Sequence, residues 1–92
     1  MNNPNNKPTV SILIPVWNRE AVIEATVRSA LSQTLQDIEV VIVDNASTDN
    51  TWSILEKLSK ADSRIRIFQN EKNLGPVRNW MRCIEEAKAE YS

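Results

Sequence analysis

Four consecutive β-branched residues, Val40-Val41-Ile42-Val43, followed by the polar run Asp44-Asn45-Ala46-Ser47-Thr48-Asp49-Asn50-Thr51, constrain this chain more than any other feature. A strand that is apolar on both faces must be covered on both faces, which is the situation of a parallel sheet with helices on either side. Ligands of such sheets bind beyond the carboxyl ends of the strands. Asp44 and Asn45 therefore stand where chemistry is expected.

The rest of the chain alternates in the same way. Val10 to Val16 reads as a first strand, with Pro15 near its end because proline donates no ladder hydrogen bond. Asn18 is placed to cap a first helix and Glu20 suits its first turn. Ile23, Val27, Ala30 and Leu31 repeat along one helical face, and the helix is expected to run to about Ser32. After Gln33 to Asp37, a second strand spans Ile38 to Val43. Thr48 or Asp49 is placed to cap a second helix that ends near Lys60 and turns Ile54, Leu55 and Leu58 inward. A third strand, Arg64 to Gln69, leads through Asn70 to Gly75 into a third helix that starts at Pro76. Val77, Trp80, Met81, Ile84 and Ala87 repeat at helical spacing and define its expected buried side.

A β-α-β-α-β-α order with short right-handed crossovers gives an α/β, three-layer, half doubly wound (Rossmann-like) parallel sheet with strand order 3-2-1. The 92 residues make one domain, with residues 1–8 as a flexible leader.

Composition narrows the function. Eleven basic residues against twelve acidic ones argue against broad capture of nucleic acid or anionic membrane. Cys83 is the single cysteine and histidine is absent, so an internal disulfide and a Cys/His nucleophilic pair are excluded. With no long apolar run and a polar amino terminus, the expected location is the cytoplasm, with a peripheral position at the inner face of the membrane for a longer parent protein. Pro15-Val16-Trp17-Asn18 occupies the place where a dinucleotide site or a phosphate-binding loop needs glycines, which removes both readings. A phospho-accepting receiver domain competes through Ile42-Val43-Asp44 but lacks acids after the first strand. A noncatalytic doubly wound signalling or interaction domain is the alternative of a different class.

Five segments taken together carry a resemblance. These are Pro8 to Arg19, Ser29 to Thr34, Val43 to Thr51, Asn70 to Gly75 and Glu86 to Tyr91, and in this order and spacing they resemble family 2 glycosyltransferases. Each is common alone; the ordered set is specific. The resemblance implies the amino-terminal, nucleotide-binding part of a GT-A fold, truncated here. It further implies an enzyme that transfers a sugar from a nucleotide-sugar donor, usually with inversion at the anomeric carbon.

On that reading the nucleotide-binding residues are Pro15, Trp17, Asn18, Asp44, Asn45 and Arg78, and the donor is a UDP- or dTDP-sugar. Trp17 offers a flat face for a pyrimidine, Asp44 and Asn45 can hydrogen-bond a base edge or ribose, and Arg78 can meet the base or a phosphate. Asn45 replaces the second of two aspartates usual in the family, and Arg78 is offset by two positions from the family's arginine.

The acidic metal motif and the catalytic base of the family are expected beyond Ser92. No catalytic residue or metal ligand is therefore assigned within the chain, Mg2+ or Mn2+ is expected in the full-length enzyme, and the chain alone is expected to be inactive. The acceptor is a glycan, lipid-linked or other hydroxyl.

Without the resemblance, each residue has a plainer role: Ser47, Thr48 and Asp49 as turn and cap residues, Arg78 as a solvated helix residue, and Trp52, Trp80 and Met81 as core. The first strand, left as a sheet edge by truncation, is expected to pair with a second copy into a homodimer.

Overall fold

A computed structural model describes residues 10–32 and 37–87. The expected leader, residues 33–36 of the connection before the second strand and the closing Glu90-Tyr91 segment lie outside the described residues. The elements are β1 (Val10–Val16), α1 (Ile23–Leu31), β2 (Ile38–Asp44), α2 (Thr51–Ala61), β3 (Ile65–Gln69) and α3 (Pro76–Glu86). The strands form one parallel sheet in the order β1-β2-β3, which is the expected 3-2-1 order read from the other edge. Val10 pairs with Ile38 and Val16 with Asp44 across β1 and β2, and Val40 pairs with Ile65 across β2 and β3.

The central strand β2 is buried along its whole length, as a run of branched aliphatics demands. Its side chains alternate between two layers. Val40 and Ile42 join Val16, Ile23, Val27, Leu55, Leu58 and Ile65 in the core under α1 and α2, with Trp52 packed against its margin. Each such side chain contributes about 1.5–3 kcal/mol on removal from water. Val41 and Val43, both fully buried, belong to the opposite layer, where α3 crosses β1 and β2.

That second layer departs from the sequence reading. Glu39, on the same face as Val41 and Val43, is buried and forms an ion pair with Arg66 at 3.0 Å, and Ser11 donates a hydrogen bond to it. Arg66 also donates to the Glu86 carbonyl at the end of α3. A sheet face carrying these polar groups is matched by a polar helix face, so α3 turns Asn79 and Cys83 inward. Val77, Trp80, Met81 and Ile84 face outward, with Val77 70% and Met81 56% exposed. The expected inward packing of Trp80 and Met81 is thereby corrected, whereas Trp52 does pack on the core.

The start of α1 is the second departure. Asn18 does not cap it: the residue takes a left-handed φ of 50° and bonds to the loop after β2 instead. The chain turns through Arg19, whose carbonyl accepts from the Val22 and Ile23 amides, and the helix begins at Ile23. Asp49 caps α2 from one position before its N-cap, with Oδ1 accepting from the Thr51 amide at 2.9 Å and the Thr51 hydroxyl at 2.6 Å. Pro76 opens α3 as expected.

Candidate functional site

The carboxyl ends of the three strands deliver Trp17 to Asn18, Asn45 to Asp49 and Asn70 to Gly75 to one end of the sheet, and these loops are bonded to one another. Ser47 is the hub of the first pair. Its hydroxyl donates to Asp44 Oδ1 and accepts from the Asn18 amide at 2.8 Å. Asn18 Oδ1 accepts from the Thr48 amide at 2.8 Å, and the Arg19 amide donates to the buried Thr51 hydroxyl at 2.9 Å. The loop after β1 is therefore fixed to the start of α2. Ala46 pays for the tight path between them with a φ of 61°, a left-handed conformation that costs a residue with a Cβ about 1–2 kcal/mol.

The second pair is held by asparagines. Asn45 is only 4% exposed, and its carboxamide is fully engaged. Oδ1 accepts from Asn70 Nδ2 at 3.0 Å and from the Leu74 amide at 2.8 Å. Nδ2 donates to Asn73 Oδ1 at 3.0 Å and to the Gly75 carbonyl at 3.4 Å. Asn70 Nδ2 also donates to Asn79 Oδ1 at 2.9 Å, and Asn79 Nδ2 donates to the Val43 carbonyl at 3.1 Å. Arg82 closes the network by donating to Asn70 Oδ1 at 2.7 Å. Among the described residues no buried side-chain nitrogen or oxygen lacks a partner.

Between the loops lies a cavity of about 310 Å³ lined by Pro15, Val16, Trp17, Arg19, Asn45, Asn73, Pro76 and Asn79. That is at the lower end of the range for small-molecule sites. Its lining combines Pro15, Val16 and Pro76, the 48% exposed Trp17, three asparagines and one arginine.

Of the six residues singled out from sequence, the structure brings Pro15, Trp17 and Asn45 together in this wall. Asn18, Asp44 and Arg78 are not part of it. Asn18 is turned to Thr48. Asp44 is fully buried, its Oδ1 taken by Ser47 and its Oδ2 accepting from Gln69 Nε2 at 3.3 Å. Arg78 stands exposed on α3. Asn45 lines the cavity with both ends of its carboxamide bonded within the chain.

Val16, Arg19, Asn73, Pro76 and Asn79 were missed as cavity residues. Arg19 directly follows the Trp17-Asn18 pair, and its adjacency was the available signal. Asn79 falls at the inward phase of α3, which a polar partner face alone reveals.

No group of three or more His, Cys, Asp or Glu residues able to hold a metal ion occurs among the described residues. Cys83 is buried on the inward side of α3, and burial pushes its thiol pKa up, consistent with an inert packing role. No helix among the described residues is long and apolar enough to cross a membrane.

The family model described as glycosyl transferase family 2 matches residues 11–92. The chain is 44% identical over 84 residues to the Escherichia coli protein named UDP-Glc:alpha-D-GlcNAc-diphosphoundecaprenol beta-1,3-glucosyltransferase WfaP, covering 89% of this chain and 32% of that protein. It is 32% identical over 85 residues to the Campylobacter jejuni GalNAc(5)-diNAcBac-PP-undecaprenol beta-1,3-glucosyltransferase, covering 91% of this chain and 28% of that protein. The crystal structure of S. aureus TarS residues 1–349 superposes with a TM-score of 0.79 at 30% identity, over 89% of this chain and 25% of that one. The chain thus spans about a quarter to a third of the length of these relatives.

Proposed function

The chain belongs to glycosyl transferase family 2, and from that premise we propose that it forms the nucleoside-binding end of an enzyme that transfers sugar from a UDP- or dTDP-sugar donor. The observation that carries the reading is the cavity at the carboxyl ends of the strands, with the half-exposed Trp17 indole in a wall otherwise made of proline, valine and carboxamide groups. A pyrimidine stacks on an indole regardless of its exact edge pattern, and such stacking contributes about 1–3 kcal/mol per base. Pro15 and Val16 supply the apolar floor. Asn18, Asp44 and Asn45 act as positioning residues that fix the loops around the base.

Transfer with inversion at the anomeric carbon to a hydroxyl of a lipid-linked glycan fits the family and the names of the two relatives above. The acceptor's proton would have to be taken by a base, and none of the carboxylates described here lines the cavity. The 92 residues alone are therefore expected to bind a nucleotide weakly and to transfer no sugar.

The test is a titration of the purified chain with UDP and dTDP, followed by backbone amide shifts. Shifts concentrated at Trp17, Asn45 and Asn73, with at least a fivefold loss of affinity in Trp17→Ala, support the reading. A Trp17→Ala chain that remains folded and binds as before overturns it.

A further inference from the structure

We infer that the outer edge of β1 and the apolar flank of α3 form one self-complementary surface, which a second copy of this chain occupies by adding its own β1 antiparallel to the first.

The backbone defines the edge. The Asn45 amide donates to the Val16 carbonyl, so the backbone groups of Val16 point to β2. Such groups alternate along a strand, which turns Ile14 and Ile12 to β2 as well and leaves Leu13 and Pro15 facing away from it. Among the described residues only β2 pairs with β1. Pro15 has no amide hydrogen to leave unpaired on the outer side, whereas Leu13 offers both its amide and its carbonyl there. Side chains alternate too: Ile12 and Ile14 pack on the core under α1 and α2, so Leu13 belongs to the α3 layer.

The apolar flank of α3 overhangs this edge. The helix crosses β1 and β2 and turns Asn79 and Cys83 to the sheet. It sends Arg82 toward β3, where the guanidinium donates to Asn70 and lies over Phe68. At about 100° per residue, Trp80 and Ile84 fall on the flank opposite Arg82, which is the side of the β1 edge. Val77 and Met81 continue the patch outward, and none of the four carries a charge.

The surface fits an extended segment with apolar side chains on both faces, and β1 is itself such a segment. A two-fold axis normal to the sheet at Leu13 sets Leu13 against Leu13 of the second copy and makes one continuous sheet. Strands lie about 4.8 Å apart, so an α3 lying over β1 and β2 stands roughly 5 Å from that axis. The two helices then come roughly 10 Å apart, the spacing at which helices pack, and their uncharged flanks meet. Being 45% to 70% exposed, the four side chains present roughly 400 Å² of apolar surface per copy. With the strand edges, the pair buries roughly 1,000 Å², the lower bound for a specific interface. The dimer is accordingly weak and forms as concentration is raised.

The experiment follows the 92-residue chain across a concentration series by sedimentation equilibrium and amide hydrogen exchange. The expected result is a mass that rises from monomer towards dimer. Exchange of the outward Leu13 amide should slow in step, while the Ile12 and Ile14 amides, turned to β2, stay protected throughout. Trp80→Lys, at an exposed position, should weaken association at least tenfold, as should Leu13→Pro, which removes the outward amide hydrogen. Glu56→Lys, exposed on α2 away from the edge, should leave association unchanged. Amide spectra check that each variant folds, and if Leu13→Pro does not, Trp80→Lys and the exchange of the native chain decide. A chain that stays monomeric, association that survives Trp80→Lys or is lost in Glu56→Lys, or Leu13 exchange indifferent to concentration overturns the proposal. A monomer that instead binds phosphatidylglycerol vesicles, and loses that binding in Trp80→Lys, assigns the flank to a membrane surface and overturns it too.

Discussion

Replacing Asn45 by alanine tests whether the carboxamide network holds the site together. The substitution removes four hydrogen bonds, but their loss is unequal. Asn73 is exposed and its Oδ1 can turn to water, and the 3.4 Å bond to the Gly75 carbonyl is weak, so the donor side costs little. The acceptor side is different: Asn70 is buried, and its amide hydrogen and the Leu74 amide would both lose their partner. An unsatisfied buried donor costs about 1–3 kcal/mol, and because Asn45 borders the cavity, water can reach the vacated position and holds each cost near the low end. The sum is about 2–3 kcal/mol, which in a chain of this size lowers the melting temperature by roughly 10 °C or more. Asn45→Asp is the discriminating companion. The protonated acid keeps accepting from Asn70 and Leu74 through one oxygen and donates through the other, so its cost in acid should stay below about 1 kcal/mol, whereas the ionised form buries a charge against the Asn73 and Gly75 oxygens and is costlier at neutral pH. Urea unfolding of both variants, analysed with a common slope, gives the two numbers. A loss under about 0.5 kcal/mol for Asn45→Ala, or a loss for Asn45→Asp that does not shrink as the pH is lowered to protonate it, would refute the reasoning.

Three further outcomes are expected. The hydrogen bonds and charge of Arg64 hold the Asp62 carboxyl below its ordinary pKa, so the stabilisation is present above the unfolded carboxylate pKa of about 4 and is lost as pH falls through the lower folded value. Asp62→Asn should therefore be less stable than the native chain at neutral pH, with the gap closing in acid; a gap that is constant from pH 7 to about pH 2 contradicts this. Gly75→Ala should destabilise by about 1–3 kcal/mol through backbone strain alone, since φ is 86° with ψ at 161° while an added Cβ meets nothing within 4 Å; calorimetry showing no loss would mean that the turn can relax. The β1 edge, which pairs with no strand but β2 among the described residues, should join a second copy at high concentration. Light scattering that reports a strict monomer across a concentration series would rule that out.

The strands were legible because their signal is local. Branched aliphatics bounded by polar turns place β1 to the residue and β2 within one residue of its observed end, and Pro76 marks the first turn of α3. What periodicity cannot supply is the identity of the surface a helix meets. The stripe of Val77, Trp80, Met81 and Ile84 was found correctly as a stripe, but the sheet face available to α3 carries Glu39 and Arg66, and so the opposite side of the helix faces it. Asn18 was misread for a similar reason. An asparagine before an apolar-periodic run fits a cap, yet its partners Ser47 and Thr48 lie about thirty positions away and no local pattern announces them. The cavity inherits both gaps: Trp17 and Pro15 were readable from the strand end, whereas Arg19 and Asn79 enter it through the course of a loop and the rotation of a helix.

The bonds that tie the strand-end loops also set an order of events. Asn18 and Thr48 are 30 residues apart and Asn45 and Asn73 are 28 apart, each about the length of one strand-helix-strand unit. Both links span an intervening crossover whose closure must be offset before they add stability, so the cavity wall is expected to be among the last parts of the molecule to assemble. A nucleotide that binds there would recognise the finished sheet and no earlier species. Its apparent affinity would consequently fall whenever folding is impaired, wherever in the chain the damage lies, and binding would double as a report on how much of the population has completed the third strand.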